Sequence, residues 1–287
     1  MTTATETTTA AGPLDGIRLS FGGVLNSEWI KLHSLRSTMW CLGLVILLSV
    51  GFSALVAGVL HLQNPGAIPA TNAASLLVQS STIGVNFTQL VAAVLGVLVI
   101  SGEYSTGMIR STFTAVPGRL GAYFGKLIVL AVVVFVVSIV SLGISSLVAT
   151  GILNARGVNV DLTRSDVLLP LLGGAGYLAL VAILAFAFGA IIRSSAGGIA
   201  AILGTLLVLP VALQVVAGLT NATWVSNVAS FLPSASGGQL YAFVQPNAPA
   251  PASGVVALDA TTGGLVLAAW VIVGVVIGAV LIKRRDV

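Results

Sequence analysis

The sequence has very few charged side chains and a single cysteine. Asp, Glu, Lys and Arg make up 7% of the 287 residues, against roughly 25% in an average soluble domain. So few charges exclude a soluble globular protein, and disorder would require low hydrophobicity with high charge. Cys41 stands alone, which excludes a disulfide framework and a cysteine-based metal site. The composition therefore indicates an integral membrane protein.

The sequence also lacks the short motifs of common hydrolytic and nucleotide-binding sites. It contains no G-x-S-x-G, no H-E-x-x-H and no G-x-x-x-x-G-K-[ST] phosphate loop. His33 and His61 are predicted to lie on opposite sides of the membrane, so they cannot share a metal ion. We therefore expect no catalytic residue, no metal site and no bound cofactor, and we expect that the chain is not an enzyme.

Long apolar runs dominate what is present. Hydrophobic residues make up 57% of the chain, and the mean hydropathy is +1.09. A helix needs about 20 apolar residues to cross a bilayer, and backbone polar groups in hydrocarbon must be paired internally, which favours helices. The sequence therefore predicts an all-α membrane protein whose six spans cover about 39–60, 83–100, 124–150, 167–192, 197–219 and 264–282.

The basic residues predict how these spans are oriented. With six spans, only Arg156 and Arg164 fall on one side of the membrane. The other ten all fall on the opposite side: Arg18, Lys31, Arg36, Arg110, Arg119, Lys126, Arg193, Lys283, Arg284 and Arg285. Loops rich in Lys and Arg stay in the cytoplasm. We therefore expect a multi-pass protein with both termini cytoplasmic.

The N-terminal region divides into two predicted parts. Residues 1–16 are threonine-rich, lack the cationic start of a signal peptide and are predicted to form a disordered cytoplasmic tail. Residues 17–37 predict an amphipathic helix in the membrane plane, which leads into the first span. Its apolar face would hold Leu25, Trp29, Leu32 and Leu35. The alternative is an ordinary cytoplasmic extension of the first span.

Two segments are predicted on the outer side. Residues 61–80 read as a short polar connection between the first two spans. Residues 220–263 are longer and contain several prolines in their second half. Within them, an apolar pattern predicts a short interfacial helix: Trp224, Val228, Phe231 and Leu232.

Within the spans, the polar side chains are uncharged. Such residues commonly pack helices together, and the alternative is that they line a substrate path. The candidates are Asn86, Gln89, Ser138, Ser141, Ser145, Thr205 and Gln214. The lack of ionisable groups in the middle of the spans argues against a proton-driven antiporter but leaves sodium coupling open. Pro210 is expected to kink the fifth span.

The loop between the second and third spans, residues 102–126, is the most informative segment. It begins with Glu103, continues with an amphipathic pattern and turns at Pro117 before re-entering the membrane behind Arg119 and Lys126. A simple hairpin would need far fewer residues. The loop therefore predicts a docking element on the cytoplasmic side, and the alternative is a basic topological signal with filler sequence.

This segment resembles the permease subunits of ABC-2-type transporters. The resemblance is carried by Glu103, Gly107, Arg110, Pro117, Arg119 and Lys126, and it extends to the six-span topology of residues 17–287. The E-Y-x-x-G form resembles versions common in high-GC, actinobacterial genomes, which implies a bacterial plasma membrane. In that family the loop forms a coupling helix that sits in a groove of a separate ATPase subunit.

The resemblance also implies an assembly and a site. Two permeases, identical or paralogous, and two ATPases would form the transporter, with ATP and Mg bound by the ATPases, and no nucleic acid would be involved. The expected coupling residues are Glu103, Tyr104, Gly107, Met108, Ile109, Arg110, Phe113, Pro117 and Arg119. The implied function is export, with a drug-like, lipid, peptide or polysaccharide cargo. The alternatives are a membrane enzyme with an unrecognised active site and a passive channel or membrane anchor.

Overall fold

A computed structural model describes residues 20–63, 70–108, 119–155, 157–158, 161–244 and 253–284. These residues form helices and contain no β-strand, which confirms the all-α prediction. In chain order the α-helices are α1 (Phe21–Ser34), α2 (Arg36–Gln63), α3 (Ala70–Thr82), α4 (Val85–Ser105), α5 (Arg119–Asn154), α6 (Ser165–Ile192), α7 (Ser195–Leu203), α8 (Leu209–Thr220), α9 (Thr223–Ser230), α10 (Pro233–Gly238) and α11 (Ala260–Arg284).

Six helical stretches in the described residues are long and apolar enough to cross a membrane. We number them spans 1 to 6: Arg36–Val59, Ala73–Ser105, Arg119–Asn154, Ser165–Ile192, Ser195–Thr220 and Ala260–Arg284. The number of spans agrees with the prediction, and each predicted core lies within or close to one of these helices. Helical geometry continues past the apolar cores because backbone hydrogen bonding does not stop where hydropathy falls.

The start of span 2 differs most from its predicted boundary. Residues 61–80 were expected to form a polar connection, yet α3 is helical from Ala70 and is followed by α4 after a break at Ile83 and Gly84. Ala73, Ala74 and Leu77 are buried against the bundle. The polar side chains on the other face lower the mean hydropathy of α3. A search for long apolar runs therefore does not detect this amphipathic helix.

Span 4 is the central helix of the bundle and packs closely along α4. A Cβ on Gly96 would lie 2.2 Å from the backbone oxygen of Ala182, and one on Gly189 would lie 2.7 Å from Cγ2 of Ile100. Small residues therefore allow these two helices to approach closely. Most side chains of α6 are buried as a result, whereas span 5 leaves most of its surface exposed.

One end of the bundle collects the basic residues Arg36, Arg119, Arg193 and Arg284, and we call it the basic end. The Tyr123 hydroxyl in span 3 donates to the Val275 carbonyl in span 6 at 3.2 Å. The hydroxyls of Ser101 and Ser195 lie 2.8 Å apart and join the end of span 2 to the start of span 5. These contacts join span 3 to span 6 and span 2 to span 5.

Span 5 is interrupted directly before Pro210. The five residues Gly204–Val208 form a π-helical turn between α7 and α8. Proline lacks a backbone N–H and its ring clashes with the carbonyl four residues earlier, so a regular α-helix cannot pass through it undisturbed. The disturbance predicted at Pro210 thus takes the form of a wide turn, as is usual for π-helical bulges inside helices.

Between spans 5 and 6 the chain forms the two short helices α9 and α10. The first contains Trp224 and Val228 of the predicted short helix, whereas Phe231 and Leu232 follow its end. Of these four residues only Leu232 is buried. The second packs against span 4, where a Cβ on Gly237 would lie 2.3 Å from the ring of Tyr177. These helices bring residues 238–243 beside the junction of α3 and α4.

Candidate functional site

The first helix, α1, attaches to the basic end of the bundle. The Ser20 hydroxyl accepts a hydrogen bond from the Gly23 backbone N–H at 3.1 Å and caps the helix, which ends at the extended residue Leu35. The buried face of α1 consists of Val24, Glu28 and Leu32, which recur every four residues. This face packs on the start of span 3, where the Val24 side chain lies against Gly125.

The buried face of α1 differs in part from the apolar face that the sequence predicted. Leu32 is buried and Leu25 packs partly against the core, as expected. Trp29 and Leu35 are exposed instead. Relative to the predicted orientation, α1 is rotated because Glu28 contacts basic side chains inside the protein. Pairing this buried carboxylate outweighs burying one more apolar side chain.

Four charged side chains from three helices meet at this point, and we call them the ion cluster: Glu28 and Lys31 of α1, Glu103 of α4 and Lys126 of α5. Lys126 Nζ donates to Glu103 Oε1 at 2.7 Å and also to Glu28 Oε2. Lys31 Nζ lies 2.8 Å from Glu28 Oε1 and 3.1 Å from Glu103 Oε1. Each lysine therefore bridges both carboxylates.

Three members of the ion cluster are buried, the Lys31 side chain is 33% exposed, and the four charges within the cluster balance. Glu28, Lys126 and Glu103 are 3%, 5% and 7% exposed, and two positive charges oppose two negative ones. Burial lowers the pKa of the Lys31 ammonium, but its contacts with Glu28 and Glu103 outweigh burial and raise the pKa above its ordinary value.

The position of the ion cluster relates it to the predicted coupling loop. Glu103 ends span 2 and Lys126 lies in the first turns of span 3, so the two side chains flank the loop on both sides. Their contact joins the two ends of the loop, and Glu28 attaches α1 to the same point. A force applied to the loop would therefore reach spans 2 and 3 and α1 together.

The structure describes four of the other eight predicted coupling residues. The Tyr104 ring lies 5.2 Å from the Arg193 guanidinium carbon, a cation–π contact that links span 2 to the turn between spans 4 and 5. Gly107 has a φ of 72°, a left-handed conformation that favours glycine and ends the helix. Met108 is exposed beyond it, and Arg119 begins span 3. Four predicted residues lie outside the described residues: Ile109, Arg110, Phe113 and Pro117.

A cavity of about 330 Å³ adjoins the ion cluster. The cluster forms part of its wall, and Leu32, Leu98, Val99 and Val129 form much of the apolar remainder. Met108 and Leu35 also line it and are exposed. The coupling loop therefore leaves the bundle beside an apolar recess.

Sequence reasoning identified Glu103 and Lys126 singly but missed the cluster that they form. Glu28 was not among the predicted site residues, although it lies four residues from both Val24 and Leu32. A carboxylate in the middle of an apolar helical stripe is the signal that would have indicated a buried ion pair.

The uncharged polar candidates within the spans separate into two groups. Ser138, Ser141 and Ser145 are fully buried in span 3, and the Ser53 hydroxyl of span 1 donates to the Ser145 carbonyl at 2.9 Å. Gln89 is also buried and accepts a hydrogen bond from the Tyr177 hydroxyl. These two hydrogen bonds join span 1 to span 3 and span 4 to span 2.

The other three candidates lie near the surface of the bundle. Asn86 and Gln214 are exposed, and Thr205 is half-buried and donates to the Ala201 carbonyl at 2.9 Å. Of these, Asn86 and Gln214 line separate recesses. Whether these three residues line a substrate path or pack helices together stays a prediction.

Comparison with known families gives the context of this site. A family model described as "ABC-2 family transporter protein" matches residues 24–237. The chain belongs to this family. The match runs from α1 to α10 and includes the ion cluster and the loop that it flanks. No curated protein matches the sequence.

Membership of the ABC-2 family identifies the general role of the chain. It is a multi-pass membrane protein and the transmembrane subunit of an ABC transporter. Membership also implies that an ABC ATPase is its partner.

Proposed function

We propose that this ABC-2 permease is driven by a separate ATPase subunit that docks at the basic end. The ion cluster is the observation that carries the proposal. It joins the ends of spans 2 and 3 with α1, so displacement of the loop between them moves three helices as one body. The permease itself hydrolyses no nucleotide, and ATP and Mg belong to the partner chain.

The remaining features of the proposal follow from charge and family. The basic end is cytoplasmic because loops rich in Lys and Arg stay inside, and this places both termini in the cytoplasm of a bacterial plasma membrane. Two permeases, identical or paralogous, and two ATPases form the complex. The transport direction is export, and the cargo is a drug-like, lipid, peptide or polysaccharide molecule.

A pair of matched phenylalanine variants tests the docking of the ATPase. Phe113 lies in the loop, and its removal should weaken an interface anchor, which typically costs about 1–4 kcal/mol. We expect Phe113→Ala to abolish substrate-stimulated ATP hydrolysis in complexes reconstituted from the permease and its ATPase. Permease abundance and insertion should remain close to those of the unmodified protein.

Phe135→Ala is the matched control, since Phe135 is an exposed phenylalanine of span 3 that lies outside the loop. It should leave the stimulation of ATP hydrolysis unchanged. Normal stimulation with Phe113→Ala would contradict the docking proposal, and so would transport by the purified permease without nucleotide or a second protein.

A further inference from the structure

A second cavity, of about 350 Å³, opens at the end of the bundle opposite the basic end. It lies between the junction of α3 and α4 and the segment that follows α10. The helix breaks at Gly84, where a Cβ would lie 2.8 Å from the Ser49 Cα. Tyr241 on the facing wall is held by ring contact with the buried Tyr177, with ring centroids 5.3 Å apart. Both walls are thus anchored to the packed bundle.

The polar groups of this cavity are uncharged, and those of Gln79, Asn86 and Tyr241 offer hydrogen-bonding atoms to a ligand. The Gln79 side chain and the Tyr241 hydroxyl form no hydrogen bond with the described residues. The Asn86 side-chain nitrogen donates to the Ile83 carbonyl at 3.2 Å, which leaves its amide oxygen as an acceptor. Burial raises the pKa of Tyr241 to about 12, so its hydroxyl remains a donor at neutral pH.

The walls also restrict the charge of a ligand. None of the lining residues in the described part of the chain is acidic or basic. A phosphate or an ammonium group that left water for this cavity would lack a partner of opposite charge, which is unfavourable. Phe243 and Tyr241 supply aromatic surface beside the amides. The cavity therefore suits a neutral ligand that has both hydrogen-bonding groups and apolar faces.

The length of span 2 places the cavity near the edge of the membrane. The span contains 33 residues, which at 1.5 Å per residue gives about 50 Å, whereas the hydrocarbon core is about 30 Å thick. Counting about 20 residues back from Glu103 reaches the break at Ile83. Gln79 and Asn86 thus lie at the level of lipid head groups, which both water-soluble ligands and lipid head groups can reach.

We propose that this cavity binds the glycosyl group of an uncharged carbohydrate, presented either as a free sugar or as the head group of a glycolipid. Sugar hydroxyls both donate and accept hydrogen bonds, and amide side chains offer both functions. The C–H faces of a sugar ring are apolar and pack against aromatic side chains. The volume is at the lower end of the range for small-molecule sites. The site does not depend on how the ATPase docks.

Binding to the full-length permease in phosphatidylcholine nanodiscs, prepared without a glycoside detergent, tests the site. Maltose is the free probe, observed by saturation-transfer NMR, and digalactosyldiacylglycerol added to the nanodisc is the lipid probe, which should compete with maltose. We expect Asn86→Ala and Tyr241→Phe each to weaken maltose binding by roughly two- to tenfold, as for loss of a single hydrogen bond. Ala242→Trp, at an exposed lining residue, should abolish it.

Asn26→Ala is the matched control because Asn26 is an exposed amide of α1, at the opposite end of the bundle from this cavity. It should bind maltose as the unmodified protein does. Maltose binding that is lost in Ala242→Trp supports the site, and competition by the glycolipid shows whether a lipid-linked sugar also occupies it. Absence of maltose binding would overturn the proposal. Maltose binding that none of the three cavity variants changes would also overturn it, as would stronger binding of N-acetylglycinamide with the same dependence on the variants.

Discussion

Glu103 shows how a residue that the sequence identifies can take a different role in the folded protein. If Glu103 were part of an exposed docking patch, replacing it would weaken coupling to the ATPase and leave the abundance of the permease unchanged. In the structure it is buried between Lys31 and Lys126, and its Oε2 atom is buried without a hydrogen-bond partner. Removing a partner from a buried ion pair is strongly destabilising. We therefore expect Glu103→Ala to reduce permease stability as well as coupling, whereas Phe113→Ala addresses docking.

A charge-balance series on the ion cluster tests this interpretation. Lys126→Met leaves two buried carboxylates with Lys31 as their only partner in the cluster, and we expect it to destabilise the permease by about 3–5 kcal/mol. Lys126→Met combined with Glu103→Gln restores equal charge and should recover much of the loss. The thermal unfolding midpoint of the detergent-solubilised permease, measured by size-exclusion chromatography, is the readout. A double variant less stable than Lys126→Met would contradict the balanced cluster.

At the scale of helices, the close contact between α4 and α6 determines how the bundle packs. A methyl group on Gly96 would overlap the Ala182 carbonyl oxygen, which belongs to the backbone and cannot rotate away. We expect Gly96→Ala to push the two helices apart and to destabilise the permease by about 1–3 kcal/mol, as for other overpacked sites. The thermal unfolding midpoint is again the measurement.

Gly102→Ala is the control for this prediction, because Gly102 lies in the same helix and a Cβ there would meet no atom within 4 Å. Alanine has the higher helix propensity, by about 1 kcal/mol in a helix interior. Gly102→Ala should therefore be neutral or slightly stabilising. Equal stability of the two variants would show that α4 and α6 do not require the close contact at Gly96.

At the scale of the whole molecule, the orientation of the bundle is testable by thiol labelling. In a Cys41→Ser background, Asp161→Cys should react with an impermeant thiol reagent applied to intact cells, because Asp161 is exposed at the end opposite the basic end. Thr106→Cys, exposed at the basic end, should react only after the membrane is permeabilised. Labelling of Thr106→Cys in intact cells would contradict a cytoplasmic basic end.

The six spans, the all-α fold and the grouping of basic residues at one end were accessible from the sequence alone. Each of these features depends on local composition, because a bilayer requires a long apolar run wherever a helix crosses it. The resemblance of the loop around Glu103, Gly107 and Arg119 likewise indicated the ABC-2 family before any contact was known. The amphipathic helix α3 was not predicted, because its polar face lowers its average hydropathy below that of an apolar run.

Only the tertiary structure decided which helix faces meet. Glu28 and Lys126 are 98 positions apart in the chain, and no local pattern states that their side chains share one buried site. The same holds for Asn86 and Tyr241, which line one cavity from distant segments. Hydropathy reports whether a segment enters the membrane. The pairing of buried charges and the shape of cavities depend on the rotation of each helix against its neighbours, which packing alone determines.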